Sequence, residues 1–180
     1  APFRSLLWDQ ELFEPVVNGL FNMQWQDYAN SMKVDSIINT VVFINGIVFL
    51  IAGVAALLIK NKHQKILKAI ILVGGFLLIF LSFLLTKEKF YHYAMFFEHS
   101  IQFGAPFLLL YLINHNNHKK FFLLLKVIIA LTFTCHGLYA IGTLYPIPAT
   151  FVTMTINILP ITDAQALNFL FVAGVLDFIV

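Results

Sequence analysis

Charged residues are scarce in this sequence of 180 residues, since Asp, Glu, Lys and Arg together make up only 11% of it. A soluble globular domain carries about 25% of such residues, which argues against a soluble enzyme. The net charge of +2 is too small for the basic surface that nucleic-acid binding requires. Disorder is excluded too, because 60% of the residues are hydrophobic. Composition therefore predicts an integral membrane protein and excludes nucleic acid as a partner.

Cysteine is nearly absent, because Cys135 is the only one. An intrachain disulfide and a paired-cysteine redox or zinc motif are thereby ruled out. The first residues, APFRSLLWDQ, lack the basic segment and short apolar run of a cleavable signal peptide. The sequence begins without Met, and its last apolar run stops at Val180 with no polar flank. We therefore expect it to be part of a longer chain.

Long apolar runs dominate what is present. A bilayer core of about 30 Å needs about 20 apolar residues in a helix. Four runs meet that length and a fifth is shorter, and they cover residues 36–59, 66–86, 93–114, 121–143 and 164–180. Their connections are short, so neighbouring helices should be antiparallel. The prediction is an all-α, polytopic transmembrane helical bundle with four spans and a shorter fifth.

Two segments lie outside these runs. In residues 1–35, apolar side chains recur at helical spacing opposite acidic and amide side chains, which predicts an amphipathic helix at the membrane interface, broken near Pro15. Residues 144–163 are apolar and partly alternate as in a strand, but Pro146, Pro148 and Pro160 interrupt them. Because a lone strand in lipid leaves backbone groups unpaired, we expect a short helix or extended cap over the outer mouth of the bundle.

Lysine distribution predicts the orientation. One side of the predicted bundle carries lysine without any acid, at positions 60, 62, 65, 68, 119, 120 and 126. On the other side, the basic residues are diluted by seven acidic ones, at positions 9, 11, 14, 27, 35, 88 and 163. The positive-inside rule places the lysine-rich loops in the cytoplasm and the N-terminus outside, as in a bacterial inner-membrane protein.

Polar residues inside the predicted third and fourth spans suggest a site. His99 lies 15 residues before the end of one span at Asn114, and His136 lies 15 residues after the start of the next at Phe121. In an antiparallel pair these equal offsets place both imidazoles at one depth, roughly 22 Å from the inner surface. Ionisable groups at such depth are candidates for function.

Several further polar side chains follow this pair at helical spacing. The candidate ligand-binding residues are Glu98, His99, Gln102, His136 and Tyr139, and Cys135 and His92 are further candidates for a metal. Asp177, the second acid within a predicted span, should lie near the inner end of the fifth span. There it would be far from the histidines and close to Lys126 or Lys68.

Three ligands suit such a cluster. Two histidines at one depth are the axial ligands that a b-type haem needs. His99 and His136 with Glu98, Cys135 or His92 would suit a transition metal such as zinc, iron or copper. A quinone could bind to one imidazole and the Glu98 carboxylate, which would exchange protons with it. The alternative is a hydrogen-bonded cluster of polar side chains that fixes the register of the helices and binds no ligand.

The spans also carry a resemblance to a known group. The four short-looped spans and the glycine-bearing first span, INGIVFLIAGVAALL, resemble the DoxX-like group of small four-helix bacterial membrane proteins over roughly residues 36–143. That resemblance implies a link to quinone-dependent or other redox systems, often as a subunit of a larger assembly. The N-terminal segment and the cap depart from a minimal member. No site residue carries over from the group.

Three functions remain open. The sequence favours a small redox-associated membrane protein or an accessory subunit of a larger complex, with the lipid bilayer and other membrane subunits as partners. A purely structural or assembly subunit without a ligand is the second. A transporter of a small solute or ion is the third, and it is disfavoured because we expect neither an inverted repeat nor a pair of broken helices.

Overall fold

The computed structural model describes residues 2–115 and 117–179, and all regular structure in these residues is helical. The ten helices of this part of the chain are α1 Pro2–Leu7, α2 Gln10–Phe21, α3 Trp25–Ala29, α4 Met32–Leu58, α5 Lys65–Glu88, α6 Tyr93–Glu98, α7 Ser100–Asn114, α8 His118–Ile141, α9 Ala149–Ile158 and α10 Asp163–Asp177. The predicted all-α class is confirmed.

Three helices, α4, α5 and α8, are long and apolar enough to cross a membrane. A fourth crossing is reached if α9 and α10 count as one bent span. The chain is thus a membrane protein, as composition predicts. The predicted number of spans, four with a shorter fifth, is not confirmed.

The predicted third span is interrupted at His99, which separates α6 from α7. The His99 imidazole Nδ1 donates to the carbonyl oxygen of Met95 over 2.8 Å. The His99 backbone N–H donates instead to the carbonyl oxygen of Phe96 over 3.2 Å. The amide of Ile101 donates to the Thr132 hydroxyl of α8 over 3.0 Å. Two side chains, those of His99 and Thr132, thus take the place of helical partners at the break, which stabilises it inside the bundle.

The predicted fifth span and part of the predicted cap form a bent pair, α9 and α10, whose axes differ by 105°. Pro148 stands at the N-cap of α9, and Pro160 follows its end, so the prolines set both limits. Thr162 and Gln165 then form a capping box that starts α10. The expectation that the chain holds no broken helix pair is wrong.

The N-terminal helices α1–α3 pack against the first turns of α4. Val17, Tyr28 and Ile38 are buried together at the centre of this contact, and the Tyr28 hydroxyl donates to the Leu7 carbonyl over 2.8 Å. The predicted break near Pro15 does not occur, because α2 continues through it. Pro15 lies in the second turn of α2, and the packing of its apolar face outweighs the missing amide.

Two ion pairs fasten this N-terminal unit to the spans. Arg4 donates to Asp35 over 2.5 Å and to the side-chain oxygen of Asn39 over 2.6 Å, which ties α1 to α4. Lys87, near the end of α5, pairs with Asp9, the N-cap of α2. The Lys87 ammonium holds the pKa of Asp9 below its ordinary value of 3.8.

Lys87→Met is expected to loosen α1 and α2 from α5, because Asp9 then lacks its partner. Trp8 and Trp25 are the only tryptophans and both pack on Tyr28, so their emission reports on this unit. Asp9 has a lowered folded pKa, so the stabilisation is present above pH 3.8 and is lost as the pH falls through that lowered value. We expect a red shift of wild-type emission only below pH 3.8, and in Lys87→Met already at neutral pH. Lys89→Met is the control, and an identical shift in both variants would contradict the ion-pair assignment.

Candidate functional site

The site lies where α10 crosses α8 at a pair of glycines. A Cβ atom added at Gly137 would stand 2.8 Å from the backbone oxygen of Gly174, and one at Gly174 would stand 2.9 Å from the Cβ of Ala140. Glycine at both positions therefore lets the two backbones come close together. Because Gly174 faces Ala140 whereas Asp177 faces Gly137, the helices run antiparallel here.

Asp177 is joined to His136 at this crossing. The imidazole Nδ1 of His136 donates to Oδ2 of Asp177 over 2.7 Å. The Asp177 side chain is only 16% exposed, whereas that of His136 is 40% exposed. The expectation that Asp177 lies far from the histidines is therefore wrong. The residue count assumed a straight fifth span, whereas α10 follows a bend of 105° after α9, and its last turn packs on α8 beside His136. Its two expected partners lie elsewhere, and Lys68 bonds to Asn114 over 2.7 Å.

Glu98 and His99 stand next to each other at the interruption between α6 and α7, and Glu98 couples this point to His136. Glu98, the last residue of α6, is half-buried and interacts electrostatically with both His136 and His99. His99 is half-buried as well, and its Nδ1–H donates to the Met95 carbonyl oxygen. Its Nε2 atom has no hydrogen-bond partner among the described residues. The structure thus joins Asp177 to His136 by a hydrogen bond and places Glu98 within electrostatic reach of both imidazoles.

Aromatic rings extend this cluster on one side. Tyr139 is 1% exposed, and its hydroxyl has no hydrogen-bond partner among the described residues. Its ring lies 5.0 Å from that of Tyr145, which in turn lies 4.9 Å from the His92 ring. Cys135 is buried against Tyr139. Tyr139 and Cys135 are therefore buried beside the cluster, whereas His92 is half-buried and contacts it only through Tyr145.

An open groove that His136 helps to line lies between α8, α9 and α10. Its volume is about 420 Å³, within the range of small-molecule sites. The lining is apolar apart from the His136 imidazole and the Thr155 hydroxyl, which itself donates to the Phe151 carbonyl over 2.8 Å. The Phe151 ring lies 5.0 Å from that of His136. The groove thus offers one imidazole in an apolar, partly aromatic lining.

Gln102 lies away from this cluster. It is exposed and lines a different groove, between α4, α5 and α7, together with Pro106 and Leu109. The helical spacing that placed it beside Glu98 assumes an unbroken helix, whereas the helix is interrupted at His99. Sequence spacing therefore grouped residues that the interruption separates.

No group of three or more His, Cys, Asp or Glu side chains among residues 2–115 and 117–179 is placed to hold a metal ion. His136 and His99 do share one feature with metal-bound histidines, since each donates its Nδ1 proton to an acceptor and leaves Nε2 free. The same arrangement serves any ligand that exchanges a proton with an imidazole.

Two contributors to the site were missed by sequence reasoning, namely Asp177 and Phe151. Asp177 carried a usable signal, because an acid inside an apolar segment needs a partner. Phe151 carried none, since it is one of 20 phenylalanines and its place depends on the turn that leads into α9.

Comparison with known proteins gave no match: no family model, no curated protein and no solved structure is significantly similar to this chain. The resemblance to the DoxX-like group therefore stays a prediction from sequence.

Proposed function

We propose that this membrane protein binds a quinone, or a ring-shaped amphiphile of similar chemistry, at His136 and takes part in a redox system. The observation that carries the proposal is the His136–Asp177 hydrogen bond of 2.7 Å beside an apolar groove that His136 lines. Such a ligand needs an apolar channel for its ring and tail, and one polar group for its carbonyl or hydroxyl oxygen.

The carboxylate of Asp177 fixes the tautomer of the imidazole. With Nδ1–H donating to Asp177, the Nε2 atom of neutral His136 carries a lone pair and can accept the proton of a quinol hydroxyl. Once protonated, Nε2–H can donate to a quinone carbonyl, and the imidazolium is stabilised by Asp177 and Glu98. His136 thus fits both oxidation states of the ligand.

The electrons of such a ligand pass to a redox partner, so the proposal places the chain in a larger complex. Apolar side chains on α4 are widely exposed, including Phe43 at 69% and Leu50 at 68%, and that surface suits lipid or a neighbouring subunit. From the lysine distribution we further propose the inner membrane of a bacterium, with the N-terminal side outside. This agrees with the redox systems that the DoxX-like resemblance implies.

Transport of a small solute or ion is a second candidate, favoured by one observation. The helix interrupted at His99 and the elbow of 105° between α9 and α10 both contribute to the site. Interrupted helices often line the binding sites of transporters. We rank it second because an apolar groove suits an amphiphile better than an ion.

The test is calorimetric titration of the purified protein in lipid nanodiscs with a short-tailed benzoquinone and a short-tailed naphthoquinone. We expect saturable binding of at least one of them. His136→Phe should weaken it by at least about tenfold, or about 1.4 kcal/mol, because the ring is kept and the hydrogen bond is lost. Gln102→Leu is the matched control, since Gln102 is also a polar residue in a groove but is absent from the lining of this one.

Equal affinity in His136→Phe and Gln102→Leu, or no saturable binding, would overturn the quinone proposal. Two parallel measurements test the alternatives of haem binding and transport. A Soret band that shifts on reduction would show haem instead. Dissipation of a proton gradient in liposomes without added quinone would favour transport.

A further inference from the structure

A second groove, separate from the His136 site, lies between the N-terminal helices and the start of α4. Its volume is about 390 Å³. Apolar side chains form most of its lining, and they are Leu7, Phe13, Phe21, Met23, Ile37, Ile38, Val34 and Val41. Tyr28, whose ring is buried, contributes to it as well. The groove is therefore a cleft with a packed wall and an open, apolar side.

The polarity of this groove changes along α4. Its polar members, Ser31 and Lys33, stand at the beginning of the helix, while Val41 lies two turns further into the span. Eight residues of helix from Lys33 to Val41 correspond to about 12 Å. Because α4 is long and apolar enough to cross a membrane, this direction leads from the membrane surface into the hydrocarbon.

Charge favours an anion at the polar end. Lys33 is the one charged side chain in the lining, and it makes no ion pair with the described residues. The nearest acid in sequence, Asp35, is already paired with Arg4 over 2.5 Å. The Ser31 hydroxyl accepts from the Val34 amide over 3.4 Å, and its own proton remains available for donation.

We propose that this groove binds one anionic phospholipid from the leaflet on the N-terminal side of the membrane. One acyl chain lies along Phe21, Ile37 and Val41, and the headgroup phosphate meets the Lys33 ammonium and the Ser31 hydroxyl. A helix about 10 Å wide would fill a volume of 390 Å³ within about one turn, so a helix of a partner or second copy fits poorly. An acyl chain is thin enough to occupy the groove along its length.

The experiment is native mass spectrometry of the full chain, delipidated in detergent and titrated with phosphatidylglycerol or phosphatidylcholine. We expect one retained lipid, with about tenfold preference for phosphatidylglycerol. Lys33→Glu should abolish the preference, and its control is Lys89→Glu, an exposed lysine at the end of α5 on the same side of the membrane. Ile37→Trp should abolish retention by filling the groove, with Ile51→Trp on the exposed face of α4 as its control.

The replaced side chains are all exposed, so the variants should fold, and emission from Trp8 and Trp25 verifies this for the two lysine variants. Several equivalent lipids without headgroup preference would show annular lipid only and overturn the proposal. So would a headgroup preference unchanged by Lys33→Glu, or retention unchanged by Ile37→Trp. A dimer that forms in place of lipid binding would overturn it in favour of a second copy. None of these outcomes depends on the quinone titration, because the two grooves share no lining residue.

Discussion

Replacing Gly137 with valine is expected to separate α10 from α8 and to lower the free energy of unfolding by at least about 1–3 kcal/mol. The first added carbon would stand 2.8 Å from the Gly174 backbone oxygen and 2.9 Å from the Phe178 ring. A backbone oxygen cannot rotate away, so the whole of α10 has to move. Since Asp177 belongs to α10, the hydrogen bond to His136 is lost as well.

Gly46→Val is the matched control for this prediction. Gly46 also lies in an apolar helix, but an added Cβ there meets nothing within 4 Å. Valine is at least as good a helix former as glycine, so the control should not be destabilised. The measurement is unfolding in mixed micelles by increasing dodecyl sulfate, followed by circular dichroism, together with amide hydrogen exchange of α10. Equal unfolding midpoints for the two variants would refute the close crossing.

Removal of the Asp177 carboxylate is expected to produce the second large effect. Asp177→Leu leaves the Nδ1 donor of His136 without its acceptor, at a cost of about 1–3 kcal/mol. Asp177→Asn should lose less, because its amide oxygen can still accept. Asp163→Leu, which removes an exposed acid from the first turn of the same helix, should change stability by at most about 0.3–1 kcal/mol.

A double-mutant cycle isolates the pair itself. The variants are His136→Phe, Asp177→Leu and the combination of both, and unfolding in mixed micelles is the readout. Because the two side chains touch, we expect a coupling energy of about 0.5–3 kcal/mol. If the effects of the two single replacements simply add, the hydrogen bond contributes nothing to stability, and Asp177 does not orient the His136 imidazole.

The long helices could be predicted because their signal is local. Twenty or more apolar residues in sequence can satisfy their backbone in lipid only as a helix, and α4, α5 and α8 form within a few residues of the predicted limits. The interruption at His99 could not be predicted in the same way. It depends on the Thr132 hydroxyl, which reaches the Ile101 amide from a different helix.

The members of the site were partly predictable for a similar reason. Glu98, His99 and His136 stand near equal distances from one hairpin turn, so counting residues along two antiparallel helices brings them together. Gln102 was grouped with them on the assumption of one continuous helix, whereas it follows the interruption at His99 and lines another groove. Asp177 was placed by counting as well, and the elbow before α10 invalidated that count.

The amino-acid sequence is enough to place the chain in a membrane, to make it helical, and to predict that Glu98, His99 and His136 lie near one another. Hydropathy and short-range residue spacing support all three conclusions, because each conclusion depends on one segment or on two segments that are adjacent in sequence. Which carboxylate orients His136, and where the apolar groove lies, are evident only from the folded chain. Both follow from the bend between α9 and α10 and from the glycine crossing at Gly137 and Gly174, which depend on contacts between segments far apart in sequence.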